Sequence, residues 1–169
     1  MTHQIIAFGG WLYPVSKWLP SFVRHYASPI LGFSFSWCRD FARTLNKPTI
    51  LIGFSAGATA AMHVAGHSPM VTEAIVHSCE HGNYQVNYHC EYRLFITDGD
   101  TTPTQAGTRE TFRQLAAAAA TADLNVLPFV PFAAPTFFER SQLARRKHIF
   151  HNVLPHISDT LKGLPHAFA

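Results

Sequence analysis

One five-residue segment has the residue types and spacing of a catalytic nucleophile. It reads Gly53-Phe54-Ser55-Ala56-Gly57, a G-x-S-x-G pattern. The apolar run Thr49–Gly53 leads into it and predicts a buried strand, and Ala58–Ala65, rich in good helix formers, predicts a helix after it. Small residues permit a sharp turn there, which lifts a serine hydroxyl off the sheet towards the free N–H groups of the helix. The pattern predicts a nucleophilic Ser55; a tight Gly-Ser turn joining strand to helix is the structural alternative.

Two other groups of side chains could also do chemistry. Five metal-capable residues lie close together in the sequence: His77, Cys79, His81, His89 and Cys90. Zinc accepts such ligands, but H-x-C-x-H followed by H-C is not a standard spacing, so no metal site is predicted. The basic run Arg145-Arg146-Lys147-His148 is typical of a solvated helix face.

The composition indicates one globular domain in a reducing compartment. The chain has 169 residues, of which 47% are hydrophobic and 14% charged, so a disordered chain is excluded. A net charge of +3 does not require a nucleic-acid partner. The three cysteines cannot all pair with one another, the N-terminus lacks the pattern of a signal peptide, and each apolar stretch is too short to span a membrane. We therefore expect a cytoplasmic protein without a membrane span and without a cofactor.

Short apolar runs alternate with helical stretches, which predicts an α/β fold: a mostly parallel six-stranded sheet with helices on both faces, in a single domain over residues 1–169. The predicted strands are Gln4–Phe8, Ile30–Phe35, Thr49–Gly53, Val71–His77, Tyr92–Thr97 and Leu124–Val130. The predicted helices are Pro14–Tyr26, Trp37–Leu45, Ala58–Ala65, Gln105–Ala122 and Asn152–Leu161. In such sheets functional groups lie at the carboxyl ends of the strands, which is where Ser55 would stand.

With its strand, serine turn and helix in this order, the chain resembles the α/β-hydrolase superfamily over most of its length. In that family a nucleophile, an acid and a histidine follow one another along the sequence. Gly9-Gly10-Trp11 looks like the family's oxyanion loop, although Gly9 stands where many members have a histidine. The resemblance implies an oxyanion hole made by the N–H groups of Trp11 and Ala56, with Gly10 allowing the turn. A Gly-Gly turn beside a core tryptophan is the alternative.

The resemblance also implies an acid just after the fifth predicted strand. The sequence there reads Asp98-Gly99-Asp100-Thr101-Thr102-Pro103. Family members show a glycine, two residues, the acid and a proline about four positions later, so the register leaves both Asp98 and Asp100 open. Asp100 is preferred because a carboxylate at the tip of the loop can reach across to an imidazole. The unused aspartate would then be a turn residue or a helix N-cap.

The general base should follow the last strand, where the candidates are His148, His151, His156 and His166. We prefer His151 because it leads directly into the last predicted helix, as the family's histidine does. The resemblance thus implies a triad of Ser55, Asp100 and His151 that cleaves an ester or thioester through an acyl-enzyme.

The chain differs from ordinary family members by its small size, which indicates a minimal, lidless hydrolase. An insertion over Phe132–Phe150 would border the active site and provide substrate-binding residues of two kinds. They are the aromatic pair Phe137 and Phe138, and the basic pair Arg145 and Arg146. An apolar wall beside positive charge suits an acyl chain with an anionic group.

Three functions fit this sequence. The Gly-Trp pair after the first strand is similar to that of the pimeloyl-[acyl-carrier-protein] methyl ester esterases of biotin biosynthesis, whose partner is an acidic acyl carrier protein. A general short-acyl carboxylesterase or thioesterase is the plainer interpretation. The third is a catalytically inactive hydrolase-fold protein whose basic insertion docks an acidic partner.

Overall fold

A parallel sheet of six strands organises the part of the chain that the computed structural model describes, namely residues 3–11, 23–28, 32–80, 82–97 and 103–127. The strands are β1 (Gln4–Trp11), β2 (Arg24–Ser28), β3 (Thr49–Phe54), β4 (Val71–His77), β5 (Glu91–Thr97) and β6 (Ala122–Leu127). The described helices are α1 (Phe35–Thr44), α2 (Ala56–His67) and α3 (Pro103–Ala117). The strand order is β2-β1-β3-β4-β5-β6, with every neighbouring pair parallel. The predicted α/β class with a parallel six-stranded sheet is confirmed.

This strand order creates one position where the winding of the chain reverses. From β1 the chain moves outward to β2, then returns past β1 to β3, and every later strand is added on the far side of β3. In open parallel sheets a crevice forms outside the carboxyl ends of the strands at such a reversal, and ligands bind there. The fold thus favours the ends of β1 and β3 as the place for a site.

Both faces of the sheet are buried. The described helices share one core with the strands on one face, to which Cys38, Ala61 and Leu115 contribute from α1, α2 and α3. On the opposite face, Ile50 and Ile75 are 1% exposed. Burial on both faces explains why the middle strands are nearly continuous apolar runs, as parallel strands generally are.

Much of the aromatic content lies in this core. Among the described residues, the ring of Phe8 on β1 has four aromatic neighbours at centroid distances of 5.5–6.0 Å: Tyr26, Phe33, Trp37 and Phe41. Most of these contacts are edge-to-face, the arrangement that the ring quadrupole favours. The cluster attaches β2 and α1 to the end of β1 that leads to the strand reversal.

The connection from β4 to β5 contains no helix in its described residues, 78–80 and 82–90. It packs against α2, where a Cβ at Gly66 would collide with the carbonyl oxygen of Gln85. The Glu80 N–H donates to Thr59 Oγ1 at 3.0 Å. Packing and side-chain hydrogen bonds therefore hold this segment where a crossover helix would usually lie.

The structure corrects two predictions near the N-terminus. The predicted helix Pro14–Tyr26 is wrong at its end, because residues 24–26 belong to β2 and pair with Ile6, Ala7 and Phe8 of β1; residues 12–22 lie outside the described residues. The predicted strand Ile30–Phe35 is also wrong over its described residues, because 32–34 form no element and Phe35 begins α1. Ser34 determines that start, since its Oγ accepts the Trp37 N–H at 3.1 Å as an N-cap.

Two further boundaries differ from the prediction by three residues or more. β1 does not end at Gly9-Gly10 but continues to Trp11, which pairs with Ser28 of β2. The helix predicted over Gln105–Ala122 ends at Ala117, because Ala119 adopts a left-handed φ of 57° and the chain then enters β6. The predicted helix Asn152–Leu161 and the end of the strand predicted to reach Val130 lie outside the described residues. No helix in the described ranges combines the length and the hydropathy needed to cross a membrane.

Candidate active site at the carboxyl end of strand β3

Ser55 occupies the turn between β3 and α2 in a backbone conformation that few residues with a side chain adopt. Its φ and ψ are 55° and −119°, and its side chain is exposed. Residues held in such sparsely populated regions cost roughly 1–3 kcal/mol and concentrate at functional sites. The Ser55 hydroxyl makes no capping bond to α2 although it stands at the N-cap position. No capping hydrogen bond from the Ser55 side chain therefore compensates for the strain.

The two glycines of the motif are required by close backbone contacts. A Cβ on Gly53 would lie 2.5 Å from the carbonyl oxygen of Gly57. A Cβ on Gly57 would collide with the backbone of Phe8 and lie 2.7 Å from the carbonyl oxygen of Gly9. The first turn of α2 thus lies directly against the end of β1. The G-x-S-x-G spacing is explained by the crossing of three backbones at one point.

Hydrogen bonds around the turn separate the amides that have partners from those that do not. The Ser55 N–H donates to the His77 carbonyl at 2.9 Å, and the Ser55 carbonyl accepts the N–H groups of Ala58 and Thr59 at 2.9 and 3.2 Å. Within the described residues, the Ala56 N–H has no acceptor. It belongs to the first turn of a helix, where free N–H groups and the positive end of the helix dipole favour a negative charge.

The backbone at the end of β1 reaches the same edge of the sheet. Phe8 pairs with Gly53 of β3, so Trp11 lies three residues beyond that pair and Ser55 two residues beyond it. The register with β2 shifts between Phe8 and Trp11, an irregularity of the kind often found beside active sites. The expected Gly-Gly turn is thus replaced by a distorted strand end. This strand end still places the Trp11 backbone at the crevice.

Several predicted site residues lie outside the described residues: Asp98, Asp100, Phe137, Phe138, Arg145, Arg146 and His151. Thr97, the last residue of β5, is the last described residue before Asp98 and Asp100. β5 is two strands from β3, which corresponds to about 10 Å across the sheet.

His77 and Ser78 lie beside Ser55, and the sequence did not single them out for this position. His77 ends β4 and pairs with Phe54, the residue before Ser55. The Ser78 hydroxyl and His77 Nδ1 share a hydrogen bond of 2.9 Å, and both side chains are buried. Like Ser55, Ser78 has a left-handed φ, here 60°. The one available signal was that both residues follow the strand next to β3, which becomes informative only once the strand order is known.

The cysteine and histidine residues between His77 and Cys90 are not assembled into a metal site in the described part of the chain, which excludes His81. The pairing of β4 with β5 places Cys90 near the start of β4, whereas His77 ends it. At about 3.3 Å per residue the two are roughly 16 Å apart. Burial also raises the pKa of the Cys90 thiol to about 12 and that of the Cys79 thiol above its usual value, so neither is a ready thiolate.

Comparison with known proteins identifies the fold. No protein-family model matches the chain, and neither does any curated protein. The crystal structure of esterase PE8 matches with a TM-score of 0.54 at 15% identity, over 88% of this chain and 93% of that one. A phospholipase/carboxylesterase from Dyadobacter fermentans matches with a TM-score of 0.50 at 14% identity, over 86% of this chain and 88% of that one. At these identities the likeness shows the fold alone, which is that of the α/β-hydrolases, as the sequence predicted.

Proposed function

We propose that this chain, with its α/β-hydrolase fold, is a serine hydrolase that cleaves a carboxylic ester or thioester with Ser55 as the nucleophile. The observation that carries the proposal is the turn at Ser55. Its side chain is exposed, its backbone is strained, and it stands where the winding of the sheet reverses. A turn that only joined β3 to α2 would gain from a glycine here, because glycine adopts positive φ freely. Strain kept at an exposed serine indicates that its hydroxyl is used.

The reaction would pass through an acyl-enzyme. His151 takes the proton of the Ser55 hydroxyl as the oxygen attacks the substrate carbonyl, and then gives that proton to the leaving alcohol or thiol. Asp100, or Asp98 in the other register, orients the imidazole and stabilises its charged form. Water then attacks the acyl-enzyme with His151 again as the base, and the acid is released.

The negative oxygen of the tetrahedral intermediate would be stabilised by backbone amides. Ala56 is the stronger of the two proposed donors, since its N–H lies in the first turn of α2 and has no acceptor among the described residues. Trp11 is the second, with Gly10 leaving room for the substrate oxygen. Each such donor typically contributes about 10²–10³-fold in kcat.

For the substrate, we propose an acyl group bound between the aromatic pair Phe137 and Phe138 and the basic pair Arg145 and Arg146. A pimeloyl-[acyl-carrier-protein] methyl ester would fit, with an acidic acyl carrier protein as partner and a place in cytoplasmic biotin biosynthesis. Complementary charge between an enzyme and its partner protein mainly raises their rate of association, and it leaves the contacts at the reacting carbon unchanged. Reversing the charges of the basic pair should then slow turnover of acyl-carrier-protein esters more than turnover of small esters, most clearly at low salt.

The test of the activity compares the native chain with Ser55→Ala and with Ser36→Ala, which removes an exposed serine hydroxyl from α1. We expect hydrolysis of p-nitrophenyl butyrate and labelling by a fluorophosphonate probe in the native chain and in S36A. S55A should lose at least about 1,000-fold in kcat/KM and all labelling. Equal labelling of native chain and S55A would remove Ser55 from the mechanism. No turnover and no labelling in the native chain would instead favour an inactive binding protein that docks an acidic partner.

A further inference from the structure

The strand next to the nucleophile ends in a second serine that is held in an unfavourable backbone conformation. Ser78 follows β4 directly, is 5% exposed and has a φ of 60°. A buried serine gains nothing from this conformation by itself, since the left-handed region is crowded by the Cβ. Its contacts must therefore hold it there.

Those contacts connect three strand ends. The Ser78 N–H donates to the Phe95 carbonyl of β5 at 3.2 Å, and the Ser78 hydroxyl shares its 2.9 Å bond with His77 Nδ1. The carbonyl of the same His77 accepts the Ser55 N–H at 2.9 Å. His77 is thus fixed through its side chain by Ser78 and through its backbone to Ser55. The chain of bonds ends at the nucleophile.

We propose that Ser78 and His77 are positioning residues: the bond between the Ser78 hydroxyl and His77 Nδ1 holds the His77 carbonyl that accepts the Ser55 N–H, and so fixes the direction in which Ser55 presents its hydroxyl. The inference rests on the proposed function. It gives the left-handed backbone of Ser78 a purpose, because that conformation lets one residue bond both to His77 through its hydroxyl and to β5 through its N–H.

The effect should fall on the chemical step. Neither side chain is exposed, so the pair does not add to the surface that a substrate meets. A misplacement of about 1 Å at a reacting group can cost roughly 100-fold in rate, even when its cause is not in contact with the substrate. Loss of the hydroxyl should therefore lower kcat and leave KM nearly unchanged.

The test uses two variants of Ser78 and one matched control. Ser78→Ala removes the hydroxyl and keeps the strained backbone, whereas Ser78→Gly removes the hydroxyl and relieves the strain. Ser68→Ala is the control, because Ser68 is also buried, at 3% exposed, and its Oγ is also hydrogen-bonded, in this case as the acceptor of the Met70 N–H at 3.3 Å. Ser68 lies between α2 and β4, at the other end of the sheet.

We expect kcat for p-nitrophenyl butyrate to fall about tenfold in S78A and in S78G, with KM changing less than about twofold, and the rate of fluorophosphonate labelling to fall in parallel. S68A should keep its kcat. If Ser78 served stability alone, S78G would recover kcat as it recovers stability. S78G also keeps the test decisive if S78A does not fold.

Three results would overturn the inference: native-like kcat in either folded Ser78 variant, a loss in KM alone, or an equal loss of kcat in S68A. The proposed function fails in a different way, when the native chain shows neither turnover nor labelling, and that result is seen before any variant is compared.

Discussion

The two ends of the sheet differ in backbone conformation and in how fully their polar groups are hydrogen-bonded. At the carboxyl end, Ser55 and Ser78 both have left-handed φ values, Ser55 is exposed, and the first amide of α2 has no acceptor within the described residues. At the amino end, α2 ends and β4 and β5 begin in a network centred on one buried side chain, Asn87. The difference separates the part of the fold that mainly contributes stability from the part where we propose that the chemistry takes place.

Both the nitrogen and the oxygen of the buried Asn87 side-chain amide have hydrogen-bond partners. Its side-chain N–H groups donate to the carbonyls of Ala65, Ser68 and Val71 at 3.0, 2.9 and 3.2 Å, and its Oδ1 accepts the His89 N–H at 2.9 Å. One amide thereby serves the end of α2, the start of β4 and the turn before β5. The remaining left-handed residue in the described chain apart from glycine, Ala119, only ends α3, which is an ordinary use of that conformation. Among the described residues other than glycine, left-handed backbone that does not simply end a helix is found at the carboxyl end alone.

The largest expected effect comes from placing a side chain in the backbone crossing beside Ser55. Gly57→Ala places a Cβ against the backbone of Phe8 and Gly9, which cannot move aside like a flexible side chain. We expect a loss of about 3 kcal/mol in the free energy of unfolding. The distorted turn should also abolish turnover in the molecules that stay folded. Denaturant unfolding and esterase assays at matched folded fractions measure the two effects.

Gly66→Ala is the matched change at the amino end. Its Cβ would collide with the Gln85 carbonyl, again a backbone group, but in the connection before β5. We expect a loss of stability that is smaller than in G57A, because the new Cβ meets one carbonyl oxygen of a connection outside the sheet, whereas the Cβ in G57A lies within 2.7 Å of three backbone atoms of β1. Turnover per folded molecule should stay native. A G66A variant that folds but is inactive would contradict the separation of the two ends.

The next effect is the loss of the Asn87 network. Asn87→Ala leaves buried carbonyls of α2 and β4 without a donor, and each unsatisfied group costs about 1–3 kcal/mol. We therefore expect a loss of about 2–3 kcal/mol in the free energy of unfolding. Because the Asn87 network lies at the end of the sheet away from Ser55, kcat and KM per folded molecule should not change. Thermal or urea unfolding and steady-state kinetics on the same preparation give both numbers.

A smaller effect should follow from Tyr92→Phe in the same network. The Tyr92 hydroxyl accepts the Asn87 N–H at 3.0 Å, and the ring is fully buried. Phenylalanine keeps the packing and removes one acceptor, so we expect a loss of about 1 kcal/mol. If Y92F were as damaging as N87A, the side-chain amide would not be the centre of the network. Urea midpoints with unchanged slopes would give the comparison.

Local patterns in the sequence predicted the middle strands of the sheet, but they did not predict which strands become neighbours. The apolar run Thr49–Gly53 and the glycines around Ser55 gave β3, its turn and α2 because burial and crowding act on neighbours in the chain. β2 was missed because Arg24–Ser28 has no apolar pattern, and it is a strand because it pairs with β1. The contacts of the Ser78–His77 pair and of the Asn87 network depend on which strands become neighbours. That information enters only with the strand order.

The smallest predicted effect tests whether the backbone at Ser55 is strained, as the proposed function requires. Ser55→Gly and Ser55→Ala both remove the hydroxyl, but only glycine adopts a φ of 55° freely. We expect S55G to be about 0.5–1 kcal/mol more stable than S55A, because the greater entropy of glycine in the unfolded chain offsets part of the relieved strain. Both variants should be inactive. Ala119→Gly should gain a similar amount over the native chain and keep full activity, because its left-handed residue only ends a helix. If S55G gains no stability over S55A while A119G does, Ser55 is not strained, and the contrast between the two ends of the sheet must rest on the open amides alone.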